Sequence, residues 1–189
     1  MTVAAWLLLA AGLSACGPAG SGSAGSGDAS RAGGPPGARL IAFRGTFRLT
    51  GAIARQASFT SYPGALSATS SCADLAARGT GAPAGERPHF RIPGPAPGGN
   101  VYIVASISPY RGPGQYGRAA IVSGSGANIG VGTASYDPLA PRAAVSATIN
   151  ANGSGSFTFT GAAAATPDAA APRPPRPGLS GTVRWTCSA

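Results

Sequence analysis

Apolar and polar positions alternate with a period of two over much of the chain beyond residue 40. Ile41, Phe43, Gly45, Phe47 and Leu49 fall on one parity, and Arg44, Thr46, Arg48 and Thr50 on the other. That period puts successive side chains on opposite faces, so it predicts a half-buried strand. Val101, Ile103, Ala105 and Ile107 predict a second strand, with Tyr102, Val104 and Ser106 facing the other way. Val145, Ala147 and Ile149 alternate with Ser146, Thr148 and Asn150, and Asn152-Gly153 follows as a strong hairpin signal. Phe157 and Phe159 then alternate with Ser156, Thr158 and Thr160 on the return strand. Leu179, Gly181, Val183, Trp185 and Cys187 share one face of a closing strand, opposite Thr182, Arg184 and Thr186.

Weaker patterns fill the intervals. Short strands are predicted near Ser58, at Phe90 and Ile92, over 119–123 and over 128–135. Residues 71–78 predict one or two helical turns, closed by Gly79 where a C-terminal cap belongs. Turn-rich composition predicts loops over 109–117 and, with Pro172, Pro174, Pro175 and Pro177, over 162–178. The sum is an all-β chain: a compact antiparallel β-sandwich of short strands with one short helix and one disulfide.

Before residue 40 the pattern changes. Val3 to Leu13 is continuously apolar, but at about 11 residues it falls short of the roughly 20 that a membrane span needs. It ends in Leu13-Ser14-Ala15-Cys16, and residues 17–39 are rich in Gly, Ser, Ala and Pro without any period. This order predicts an export leader over 1–15, a lipidated Cys16 opening a tether over 16–39, and the β domain over 40–189. Small residues at Ser14 and Ala15 let an extended backbone enter a peptidase cleft. The Cys16 thiol takes a diacylglyceryl thioether, and a further acyl chain such as palmitate goes on the new amino group. Two or more chains anchor stably where one does not. No Lys or Arg precedes Trp6, where an export signal normally carries positive charge, so the start codon is expected further upstream.

Composition sharpens this picture at two points. From Leu40 onward Leu, Ile, Val and Phe supply only 26 of 150 residues, a thin stock for a packed core. Cys72 and Cys187 are the cysteines that remain after Cys16, an even pair in an exported chain, and are predicted to bridge. The net charge is +9, with 14 Arg and no Lys. Ala, Gly, Pro and Arg make up more than half of the residues, as in a GC-rich genome, so much of the charge reflects codon usage. The arginines are scattered singly and no nucleic-acid-binding motif is present. The partners expected are the membrane, through the lipid on Cys16, and an anionic envelope polymer or glycan; nucleic acid is not expected.

Catalytic chemistry finds little footing. His89 is the only histidine, and its parity with Phe90 and Ile92 turns it outward. No Gly-x-Ser-x-Gly elbow is present, and Asp74, Glu86, Asp137 and Asp168 are not spaced as a catalytic pair. No cofactor and no metal site are expected, and the chain is not expected to be an enzyme. The remaining constellation is the segment from Tyr110 to Arg118, in which Tyr110, Arg111, Tyr116 and Arg118 combine flat rings with guanidinium groups. These four are the candidate ligand-binding residues.

Leu13-Ser14-Ala15-Cys16, the Gly/Ser tether, Ser146-Ala147-Thr148, Asn152-Gly153-Ser154, the run from Phe157 to Gly161 and the ending Thr186-Cys187-Ser188 resemble the mycobacterial nineteen-kilodalton lipoprotein antigen family. The resemblance spans roughly a quarter of the chain. It implies an actinobacterial surface lipoprotein: a compact β domain with one disulfide, lipid-anchored outside the cell membrane. It also implies an antigen whose acyl group host receptors sense, and not an enzyme. Cys72 lies further into the domain than in that family, and the Pro-rich loop before the last strand is long. The function expected is therefore a non-catalytic binding or structural module of the cell envelope. The alternative is a carrier that holds a lipid or other apolar ligand in the β-domain interior.

Overall fold

In the computed structural model the residues described are 41–63, 71–80, 87–96, 99–122, 128–165 and 177–189. The first strand, β1 (Ala42–Gly51), pairs with β2 (Arg55–Ser61) on one side and with the last strand, β12 (Leu179–Ser188), on the other. β12 pairs in turn with β11 (Gly155–Ala165), β11 with β10 (Ala144–Ile149), and β10 with β6 (Gly114–Gly117). All of these pairings are antiparallel. The sheet thus brings the two ends of the domain together.

β11 joins the two parts of one nine-stranded sheet. Its register against β12 shifts between Phe159 and Ala162, where Gly161 takes a φ of +67°. Beyond that bulge Ala163–Ala165 pair with β9 (Ala134–Asp137), which continues to β8 (Asn128–Val131) and β4 (Val101–Val104). A bulge bends its strand and sharpens the twist, so the sheet curls over its own inner face. β3 (Phe90–Arg91), β5 (Ser106–Ile107) and β7 (Ile121–Val122) form a second, small sheet.

The all-β sandwich-like class, one short helix among the described residues and the bridge are as the sequence predicts. α1 (Cys72–Arg78) begins at a capping box: Ser71 accepts from the Asp74 backbone N–H, and the Asp74 carboxylate accepts from Ser71. These hydrogen bonds from Ser71, aided by Arg78, hold the Asp74 carboxyl below its usual range. Cys72 and Cys187 are disulfide-bonded.

Several boundaries differ from expectation. The alternating run from Val101 to Ile107 is two strands, because at Ala105 the chain leaves β8 and takes new partners in β3 and β7. Alternation continues through the switch, so period alone does not reveal it. The stretch 128–135 folds back on itself at Gly132, whose φ is +60°. Part of the expected loop 109–117 is β6, and strand structure continues past Ala162 to Ala165. A short 3₁₀ turn, Arg118–Ala120, precedes β7.

The thin stock of large side chains is stretched by pairing them with glycine. Along one row of the main sheet Ile149 faces Gly155, Gly155 faces Trp185, Trp185 faces Gly45, and Gly45 faces Phe59. Phe159 likewise faces Gly181, and Tyr102 faces Gly130. Each ring lies over the neighbouring glycine, in space a Cβ would fill: one on Gly45 would sit 2.6 Å from the Phe59 ring. A core with few bulky residues is filled in this way by alternating large and absent side chains. Phe43, Phe90 and Tyr110 extend it across the layers, with ring centroids 6.4 Å and then 5.2 Å apart.

Candidate functional site

Period-two alternation that buries one face of the main sheet must present the other to solvent. On β1 the outward residues are Arg44, Thr46, Arg48 and Thr50, all exposed. β12 contributes Ser180, Thr182, Arg184, Thr186 and Ser188, and β2 contributes Gln56, Ser58 and Thr60. β11 and β10 continue the face with Ser156, Thr158, Ser146 and Thr148. The result is a broad face of hydroxyl groups from which guanidinium groups project.

The register sets their geometry. Arg184 stands opposite Thr46, midway between Arg44 and Arg48. Arg44 and Arg48 are four residues apart, about 13 Å at the strand rise. Arg184 is diagonal to both, at about 7–8 Å between backbones. Thr46, Arg48, Gln56, Thr182 and Arg184 line a shallow hollow of about 380 Å³ at the centre of the face. The described acidic residues lie elsewhere: Asp74 pairs with Arg78 in α1, and the Asp137 carboxylate accepts from the Leu139 N–H. Among the described residues no ion pair neutralises this trio. Three like charges gathered on one exposed face, with no acidic partner among the described residues, repel one another.

The segment singled out from sequence is built differently from what its composition suggests. Tyr110 is buried, with its ring between Phe90 and Tyr116, and its hydroxyl donates to the Ala76 carbonyl of α1. Burial, and then the proximity of Tyr116, push its pKa upward and keep the phenol protonated. The Tyr116 hydroxyl donates to the Gly112 carbonyl, which closes the turn. The Arg118 guanidinium donates to the carbonyls of Leu139, Ala140 and Ala143, clamping the link between β9 and β10. Tyr110, Tyr116 and Arg118 therefore do structural work, while both Arg111 and Arg118 are exposed. The expectation of an exposed recognition group is corrected for Tyr110, which is buried, and Tyr116 is half-buried. The reason is that hydrogen bonds to distant carbonyls leave no trace in a local pattern.

The bridge sits in a tight setting. The loop 150–154 between β10 and β11 folds over it, and Gly153, at a φ of +76°, leaves room for the Cys72 carbonyl and the Cys187 sulfur. Trp185 Nε1 donates to the Gly153 carbonyl at 3.0 Å. The expected Leu13, Ser14, Ala15 and Cys16 lie outside the described residues. Among the described residues no cluster of three or more His, Cys, Asp or Glu side chains is placed to hold a metal. No described helix is long and apolar enough to cross a membrane. Comparison of the chain with protein-family models, with curated proteins and with solved structures gives no match.

Proposed function

We propose that the chain is a non-catalytic surface module of the cell envelope, anchored outside the membrane by lipid on Cys16. Its Arg44–Arg48–Arg184 face holds an anionic envelope polymer. The observation that carries this reading is the trio itself, three guanidinium groups among hydroxyls with no acidic partner among the described residues. A repeating polyanion suits that surface in two ways. Its charges meet arginines spread over about 13 Å of strand, and its hydroxyl and ring oxygens meet Ser and Thr groups on the adjoining strands. The tether would give the face a root-mean-square reach of roughly 25–30 Å from the lipid surface.

Retention of the full chain on immobilised polygalacturonate tests the face. Arg48→Ala and Arg184→Ala are each expected to weaken retention by about threefold, the scale of one exposed charge contact. Neither should lower the unfolding temperature, because each removes a like-charge neighbour. Unchanged retention in both variants would take the face out of the account. The anchor is tested by the intact mass of the protein from its native host. A mass that begins at Cys16 and carries acyl chains is expected, and a mass without lipid would contradict the anchor.

The second reading, a carrier, draws support from one feature, a cleft of about 330 Å³ at the sheet edge. That volume is at the small end of ligand pockets, below what a diacyl lipid needs.

A further inference from the structure

The cleft lies where β2 ends. Its floor is Phe43 and Ile92, both 2% exposed, with Ile103 beside them. Pro63, Pro93 and Pro95 stiffen its walls, and proline rings move little because their φ is locked. Tyr62 stands at the rim with 65% of its surface exposed, an unusual state for a large aromatic side chain.

Thr60, Ser61 and Arg91 add polar groups to this lining. Ser61 pairs with Phe43 in the sheet, so its side chain points to the inner face, toward the floor. Its Oγ is buried and has no hydrogen-bond partner among the described residues. A buried hydroxyl without a partner carries an uncompensated desolvation penalty. Arg91 lines the other side of the cleft, exposed, with no acidic partner among the described residues. An apolar floor thus meets, in one small space, a hydroxyl and a guanidinium that have no partner among the described residues.

We propose that this cleft binds a small amphiphilic carboxylate, with an apolar body on Phe43, Ile92 and Ile103 and its acid group between Ser61 and Arg91. The volume admits one ring or one short alkyl chain. Ser61 Oγ donates to one carboxylate oxygen and the Arg91 guanidinium to the other, which supplies a partner that neither has among the described residues. Tyr62 closes over the body from the rim. The site adjoins the arginine face only at Thr60: Ser61 and Phe43 point inward, whereas Arg44, next in sequence to Phe43, points out.

Calorimetric titration of the full chain tests this with two acids, octanoate and 3-phenylpropionate, and the two alcohols of matching carbon skeleton. At least one acid is expected to bind at least tenfold more tightly than its alcohol. The better acid tells whether the body is alkyl or aryl. Arg91→Gln should weaken that acid by about tenfold and bring it level with the alcohol, the range for a charge-assisted hydrogen bond. Ser61→Ala should weaken it by about fivefold while leaving the unfolding temperature unchanged or higher, since the hydroxyl it removes has no partner. A purely structural serine would give the opposite result on stability. Acids that bind no better than alcohols, or that bind both variants as they bind the parent, would overturn the proposal. Retention of Ser61→Ala on polygalacturonate is measured alongside. Loss of acid binding with polymer retention intact separates this site from the arginine face.

Discussion

Cys72→Ser or Cys187→Ser is expected to destabilise the domain by about 4–5 kcal/mol, the chain-entropy value for closing a loop of roughly a hundred residues. The cysteines are 115 residues apart, and the bridge ties the first turn of α1 to the end of β12. With a total stability of about 5–15 kcal/mol for a domain of this kind, the loss is a large share. The unfolding temperature should fall by about 10–20 °C. The location of the bridge adds to the effect. The 150–154 loop and the Trp185 side chain are packed around it, so releasing it loosens the turn that Trp185 Nε1 holds through Gly153. A thermal scan with and without reductant measures this. Oxidised and reduced protein unfolding within about 3 °C of each other would mean that the core carries the fold without the bridge.

Gly155→Ala is expected to cost about 3 kcal/mol, at the upper end of core overpacking, and to lower the unfolding temperature by about 6–12 °C. A Cβ at Gly155 would lie 2.3 Å from the Thr148 carbonyl oxygen and 2.5 Å from Trp185 Cζ2. The carbonyl is fixed by the sheet. Trp185 is fixed by burial and by its hydrogen bond to Gly153, so neither neighbour yields cheaply. Gly117→Ala is the control. Nothing lies within 4 Å of its added methyl group, and its φ of −89° suits any residue. It should change stability by no more than about 0.5 kcal/mol. Equal effects at the two positions would show that the ring-over-glycine rows are not what fills the core.

These two predictions stand at different distances from the sequence. The bridge was readable, because two cysteines beyond Cys16 leave one pairing. The strands of the main sheet were readable too: 41–49, 145–149, 157–159 and 179–187 each bury one face and wet the other. α1 was readable over 71–78 with Gly79 at its end, whereas the pairing of Ser71 with Asp74 is seen only in the fold. The glycine rows were not readable, since Gly45, Gly155 and Gly181 gain their meaning only from the rings that the register sets beside them.

The arginine face was half visible. Arg44, Thr46 and Arg48 on one strand and Thr182, Arg184 and Thr186 on another were already assigned to outward parity. Nothing local told that the first and last strands pair, at a register that sets Arg184 opposite Thr46. The Tyr110 to Arg118 segment misled for the converse reason. A run of Gly and Pro with no period reads as exposed loop, while the contacts that bury Tyr110 and engage Arg118 come from residues 76 and 139–143. The cleft needed three dimensions outright, because Phe43, Ser61, Arg91 and Ile103 come from separate strands.

The central claim is that Arg44, Arg48 and Arg184 together hold a polyanion, and the salt dependence of binding to polygalacturonate tests it most directly. Each charge contact releases counterions, so three contacts should give a slope of roughly −2 in log affinity against log salt. The triple variant Arg44→Gln, Arg48→Gln, Arg184→Gln should unfold at the same temperature or higher, bind weakly, and show a slope near zero. A triple variant that keeps the slope and affinity of the parent would contradict the claim, and would place any polyanion contact on other arginines.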